Sequence, residues 1–104
     1  MRFEQEYTLQ ATKSFDKSVK KLPKNLKEAL DQKLKLFAQQ KNYNSLNTKK
    51  LVVRQQFLNK NSIDEVWEFR LNSSLRCIFY VNEKEKLIIL VFVGKHEEVQ
   101  KLIK

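Results

Sequence analysis

EVWEFRLNSSLRCIFYV, residues 65–81, holds two short runs rich in Val, Ile, Phe, Tyr and Trp on either side of Asn-Ser-Ser. Runs of this length and composition read as β-strands, and two so close together pair antiparallel. Alternate residues of a strand share a face. The odd positions Trp67, Phe69 and Leu71, and then Leu75, Cys77, Phe79 and Val81, are apolar and belong to a core face. The even positions are Val66, Glu68 and Arg70, then Arg76, Ile78 and Tyr80. Directly paired residues point to the same side, so odd must pair with odd, which requires an odd-length loop, Asn72-Ser73-Ser74. A two-residue turn would slip the register and put one apolar set in water. The three-residue loop pairs Phe69 with Cys77 and Trp67 with Phe79, and sets Arg70 opposite Arg76 on the face away from the core.

Like charges facing across two strands cost about 0.2–1 kcal/mol. That cost vanishes if an anion lies between them, because guanidinium forks suit phosphate oxygens. Two solvated arginines, with Glu68 beside one of them, are the alternative. The next apolar run, LIILVFV at 87–93, returns antiparallel after Asn82–Lys86. A five-residue connection places Phe92 beside Arg76 and brings Gly94, Lys95 and His96 to the same rim. His96 is the single histidine. Lone histidines are more often structural, but here the apolar run has ended and Lys95, Glu97 and Glu98 begin a polar segment. An imidazole that titrates near neutrality is the usual general acid or base.

The rest of the chain supplies what covers this sheet. Phe3, Tyr7 and Leu9 alternate loosely and suggest an N-terminal strand over 3–10. Thr12 or Ser14 can cap a helix whose apolar face is Phe15, Val19 and Leu22. Pro23 ends it and suits the first turn of a second helix striped by Leu26, Leu30, Leu34 and Phe37. Lys20, Lys24, Lys27 and Lys35 project elsewhere. The pair forms an αα-hairpin that must bury its stripe against the sheet. Residues 42–50 are polar. Residues 52–64 are ambiguous: Leu51–Gln55 extends a strand, and LNKNSID (58–64) reads as a turn or exposed loop.

The chain has 104 residues, one Gly and one Pro, and no linker or repeat, so one domain over 1–104 is expected. A domain of this size buries only about two-thirds of its unfolded surface, which favours an open groove over a closed pocket. There are 21 Lys and Arg against 12 Asp and Glu, a net charge of +9. Residues 1–50 carry 12 basic and 5 acidic residues (12 − 5 = +7), residues 51–104 carry 9 and 7 (9 − 7 = +2). Such a bias favours a polyanionic partner, although a lysine-rich surface also serves solubility alone. The single cysteine, Cys77, allows neither a disulfide framework nor a thiol metal cluster and suits a reducing compartment. MRFEQEYTLQ lacks the apolar segment of a signal peptide, and LIILVFV is too short to span a bilayer. A cytoplasmic protein with no membrane partner is expected.

The combination W-E-x-R (67–70), R-x-I-x-Y (76–80) and V-G-x-H (93–96), preceded by FDKSVKKLPK (15–24) and SLNTKKL (45–51), resembles the RelE/ParE toxin superfamily over nearly the whole chain. The resemblance implies an α+β fold, an N-terminal strand and helical hairpin packed on a small, mainly antiparallel sheet. It also implies the toxin of a type II toxin–antitoxin pair, a ribosome-dependent endoribonuclease that cuts messenger RNA by 2′-OH transesterification, with no metal or other cofactor. By resemblance Arg76 supports the scissile phosphate, Arg70 is a basic position on the preceding strand, and His96 matches the histidine of the G-x-H subset. Glu68 shares the face of Arg70 as a partner base or a simple salt-bridge residue. Lys49, Lys50, Lys95, Lys20, Lys24 and Lys27 are the candidate RNA contacts. The implied partners are messenger RNA, the ribosome with its RNA, and a cognate acidic antitoxin. Two features depart from the family. EEVQKLIK (97–104) lacks the aromatic residue that usually follows the last strand, and 52–64 looks like an insertion. A gyrase inhibitor of the ParE kind and an inactive binding module of the same fold are the alternatives, because fold alone does not separate them.

Overall fold

The computed structural model describes residues 7–38 and 48–103, with no side chains placed for 36–38. The chain runs β1 (Thr8–Ala11), α1 (Lys13–Lys20), α2 (Lys24–Ala38), β2 (Lys49–Leu51), α3 (Gln55–Lys60), β3 (Glu65–Arg70), β4 (Leu75–Asn82), β5 (Leu87–Lys95) and α4 (His96–Leu102). The expected α+β architecture is present. The five strands form one mixed sheet in the order β1-β5-β4-β3-β2, with β1 parallel to β5 and the other neighbours antiparallel.

The β3–β4 hairpin has the register that parity requires. Phe69 faces Cys77, Trp67 faces Phe79 and Arg70 faces Arg76. Asn72 explains why the loop closes with three residues: its Oδ1 accepts hydrogen bonds from the backbone N–H groups of Ser74 and Leu75, each 2.8 Å, and Leu71 N–H donates to Leu75 C=O at 2.9 Å. Thr12, rather than Ser14, caps α1, its hydroxyl accepting from Phe15 N–H at 3.1 Å.

α1 and α2 cover the odd face. Phe15 and Leu30 are buried there with Phe69, Leu71, Cys77, Phe79, Val81, Ile88, Leu90 and Val93. β1 stops at Ala11, so the outer edge of β5 beyond Leu90 would lack partners. Thr12 N–H donates to Leu90 C=O at 3.1 Å, and buried Ser18 accepts Val93 N–H at 3.0 Å. Phe3 lies outside the described residues, as does the side chain of Phe37 and most of the 42–50 stretch.

Three expectations are corrected, and one segment left without an assignment gains a structure. The even face is not simply open: Val66, Ile78 and Tyr80 join Ile63, Val91 and Val99 in a second core, packed by Leu51, Phe57 and Leu58. The segment 52–64 is neither a strand extension nor mainly a loop. β2 ends at Leu51, and α3 follows because Phe57 and Leu58 find this second core; Ser62, with φ 54°, then turns the chain into β3. The C-terminal polar segment is helical, as Val99 buries on the even face and anchors α4. Finally, the residue opposite Arg76 is Gly94, not Phe92. Asn82 belongs to β4 and pairs with Leu87, which shortens the connection to Glu83–Lys86, and a β-bulge between Ile78 and Phe79 shifts the register again. Lys86, with φ 53°, takes the left-handed turn position.

Candidate functional site: a basic cleft on the even face

The even side chains of β3 and β4 emerge from the second core at the Arg70/Arg76 end of the hairpin. There a cleft of about 400 Å³ is walled by Lys49, Glu68, Arg70, Arg76 and His96. Each residue has a distinct structural reason to be there. Lys49 on β2 pairs directly with Glu68 on β3, so it projects to the same side. Arg70 and Arg76 are the directly opposed pair next to the hairpin loop. His96 opens α4, whose start is fixed by Lys95 N–H donating to the Glu98 carboxylate at 3.1 Å and by burial of Val99.

Glu68 and Arg76 hold each other. Arg76 Nε lies 3.0 Å from Glu68 Oε2, and the two side chains are only 15 % and 10 % exposed. The Arg76 Nη1 makes a long contact, 3.5 Å, to the Asn72 carbonyl. The pairing through Nε fixes the guanidinium plane. Arg70 is exposed, and its carbonyl accepts from Lys33 Nζ on α2 at 2.8 Å. The side chains of Lys49, Arg70 and His96 make no ion pair or hydrogen bond among the described residues. With three cations against one carboxylate, the cleft retains positive charge at the point where like charges are forced together.

The remaining candidates stand elsewhere. Lys50 faces the odd side, opposite Trp67, and pairs with Glu65 at 3.0 Å. That carboxyl gains a second partner in the Trp67 indole at 2.9 Å. Desolvation pushes the Glu65 carboxyl up, but the indole and Lys50 together outweigh it and hold it below the usual carboxylate value. Lys95 lines a different groove of about 560 Å³, with Lys17 and Lys21, beside the α1–α2 joint. Lys20, Lys24 and Lys27 lie on α1 and α2, across the sheet from the cleft.

The tripeptide Lys49-Lys50-Leu51 is too short for alternation to reveal, so its membership of the sheet was not legible from periodicity. The complementary charges of Lys49 and Glu68 were the available clue. Gly94 matters through its absent side chain: a Cβ there would collide with the ring of Phe92, its Cζ at 2.7 Å.

This fold is that of the RelE-like toxins. The chain is similar to RelE in the archaeal RelE–RelB complex from Pyrococcus horikoshii OT3, at 22 % identity and TM-score 0.61, over 86 % of this chain and 93 % of that one. It is similar to YafQ from E. coli strain BL21(DE3), at 13 % identity and TM-score 0.67, over 90 % and 98 % of the two chains. The isolated E. coli RelE toxin matches at 21 % identity and TM-score 0.60, over 95 % of this chain and all of that one (100 %). No protein-family model matches the sequence, and no curated protein is similar enough to count as a relative.

Proposed function

We propose that this chain is the toxin of a type II toxin–antitoxin pair and that it cleaves messenger RNA on the ribosome. The observation that carries this reading is the convergence of Lys49, Glu68, Arg70, Arg76 and His96 on one cleft, in a chain with a net charge of +9 and a RelE-like fold. The reaction is transesterification. The ribose 2′-oxygen attacks the adjacent phosphorus, the bond to the 5′-oxygen breaks, and a 2′,3′-cyclic phosphate remains. One proton leaves the 2′-OH and one reaches the departing 5′-oxygen.

Arg76 supplies the charge that the phosphorane transition state needs. Preorganised charge of this kind is commonly the largest catalytic contribution, and Glu68 holds the guanidinium in place through Nε. Arg70 and Lys49 add charge on either side of it. Glu68 is the acceptor for the 2′-OH proton, and His96 is the donor to the 5′-oxygen. The helix lysines, on the opposite side of the sheet, contact ribosomal RNA phosphates. A cognate antitoxin with an acidic docking segment complements the basic surface, and the likeness to RelE in a RelE–RelB complex supports such a partner. Cytoplasmic action follows from the same reading.

Expression of the wild-type chain, followed by primer-extension mapping of messenger 5′ ends, tests this function. New ends within codons of translated messages are expected. Intact messages with filamenting, DNA-damaged cells would replace the ribonuclease reading with gyrase inhibition.

A further inference from the structure

A second groove lies on the same face of the sheet as the cleft, at the other end of α4. It has a volume of about 430 Å³ and is lined by Arg54, Gln56, Phe57, Lys60, Asn61, Tyr80 and Leu102. Tyr80 is its floor. The residue is only 8 % exposed, and its hydroxyl, which bonds to no described residue, faces the groove. The Phe57 ring stands edge-on to it, centroids 5.9 Å apart and planes at 89°, which fixes the phenol's orientation. No buried side-chain nitrogen or oxygen among the described residues lacks a partner, so this hydroxyl is not sealed in the core but opens into the groove, where a ligand can reach it. Burial also pushes the phenol's pKa up, which keeps it a donor. The lining carries two cations, Arg54 and Lys60, and the Gln56 and Asn61 amides, with no acidic residue; Asn61 Nδ2 donates to the Phe57 carbonyl at 2.8 Å, which leaves its Oδ1 to accept.

We infer that this groove is a second RNA subsite, taking a nucleotide of the substrate strand outside the scissile position. The inference rests on the proposed ribonuclease reading. Arg54 and Lys60 hold the phosphate, and Tyr80 and the two amides hydrogen-bond the sugar or base. The connection to the cleft is geometric. Tyr80 is four residues beyond Arg76 on β4, about 13 Å along a strand and on the same face. His96 and Leu102 end the same seven-residue helix, about 10 Å apart. A single strand of a few nucleotides running along α4 reaches both sites. α3, which supplies Arg54 as its N-cap together with Gln56, Phe57 and Lys60, thereby gives the 52–64 segment a purpose.

The test uses labelled RNA oligonucleotides with 2′-O-methyl groups, which block cleavage, and reads affinity by fluorescence anisotropy over a range of salt. One probe is short and limited to the cleft; the other has about ten nucleotides, within the span single-strand binders cover. The variants are Tyr80→Phe and the double change Arg54→Ala with Lys60→Ala, with circular dichroism confirming their folds. For the long probe, the double variant is expected to lose roughly tenfold in affinity, with a salt slope shallower by roughly 0.7 for each cation removed. Tyr80→Phe is expected to lose about three- to tenfold. The short probe should bind all three proteins alike. Unchanged affinity of both variants for the long probe overturns the subsite, even where wild type cleaves messenger. Weakened binding without any messenger cleavage by wild type keeps the subsite and removes the ribonuclease reading instead.

Discussion

Glu68 and Arg76 meet diagonally across β3 and β4. Glu68 is directly opposite Ile78, yet its carboxylate reaches two pairs toward the hairpin loop to hold Arg76 Nε at 3.0 Å. The contact eases the repulsion between Arg70 and Arg76 and orients the guanidinium that faces the cleft. Both partners are mostly buried, so removing either one strands a charge. Glu68→Ala and Arg76→Ala are each expected to destabilise the fold by on the order of 1–3 kcal/mol. The double variant should lose less than the sum, with a coupling on the order of 0.5–3 kcal/mol. Urea unfolding of the four proteins measures this, and strict additivity would show that the pair does not cooperate.

His96 is exposed at the start of α4, so its side chain does not hold the fold, and the role proposed for it is chemical. His96→Ala is expected to leave the unfolding midpoint within about 0.5 kcal/mol of wild type. It should slow single-turnover cleavage by on the order of 100-fold or more. A large stability loss with an unchanged rate would reverse this assignment.

Gly94 sits opposite Arg76 and under the ring of Phe92. Gly94→Ala should overpack this point and cost about 1–3 kcal/mol. Adding Phe92→Leu removes the colliding ring and should recover part of that loss. Thermal unfolding of the single and double variants decides it; a Gly94→Ala protein as stable as wild type shows that the ring moves aside freely.

The sign of one pH effect follows from Tyr7. Burial raises the phenol's pKa, with its hydrogen bond to the Glu83 carboxylate and the nearby negative charge adding to it, from 10.0 to about 12. The hydroxyl lies 2.7 and 2.8 Å from the two carboxylate oxygens. Between those values the unfolded chain has lost a proton that the folded chain keeps, so stability falls as pH rises through the window. The contribution is fully present below pH 10 and gone above the folded value. Wild type should lose more stability than Tyr7→Phe between about pH 10 and pH 12 in urea titrations. Parallel losses in the two proteins would contradict it.

Much of this molecule was legible because its hairpin obeys strict alternation. The pairing of Phe69 with Cys77, the odd-length loop and the Arg70–Arg76 opposition all follow from one parity rule. The α1–α2 hairpin followed from its apolar stripes. Three things did not. The bulge between Ile78 and Phe79 inserts a residue that no local pattern announces, and with the shorter β4–β5 connection it moved Phe92 away from Arg76. The even-face core escaped notice because Val66, Ile78 and Tyr80 alternate with Glu68 and Arg76 and so read as an open, polar side. Their covering helices were hidden for the same reason: α3 and α4 are short, and each offers only two or three apolar residues. In the cleft, Glu68, Arg70, Arg76 and His96 were singled out from sequence and stand together, and Lys49 joins them from an edge strand too short to recognise.

The central claim is that Arg76 acts directly on RNA. Single-turnover cleavage of a ribosome-bound messenger by wild type and Arg76→Ala tests it most directly, alongside circular dichroism of both proteins. Cleavage by wild type, with a rate on the order of 100- to 1000-fold lower in a folded Arg76→Ala protein, is the predicted result. Equal rates in the two folded proteins would contradict the account.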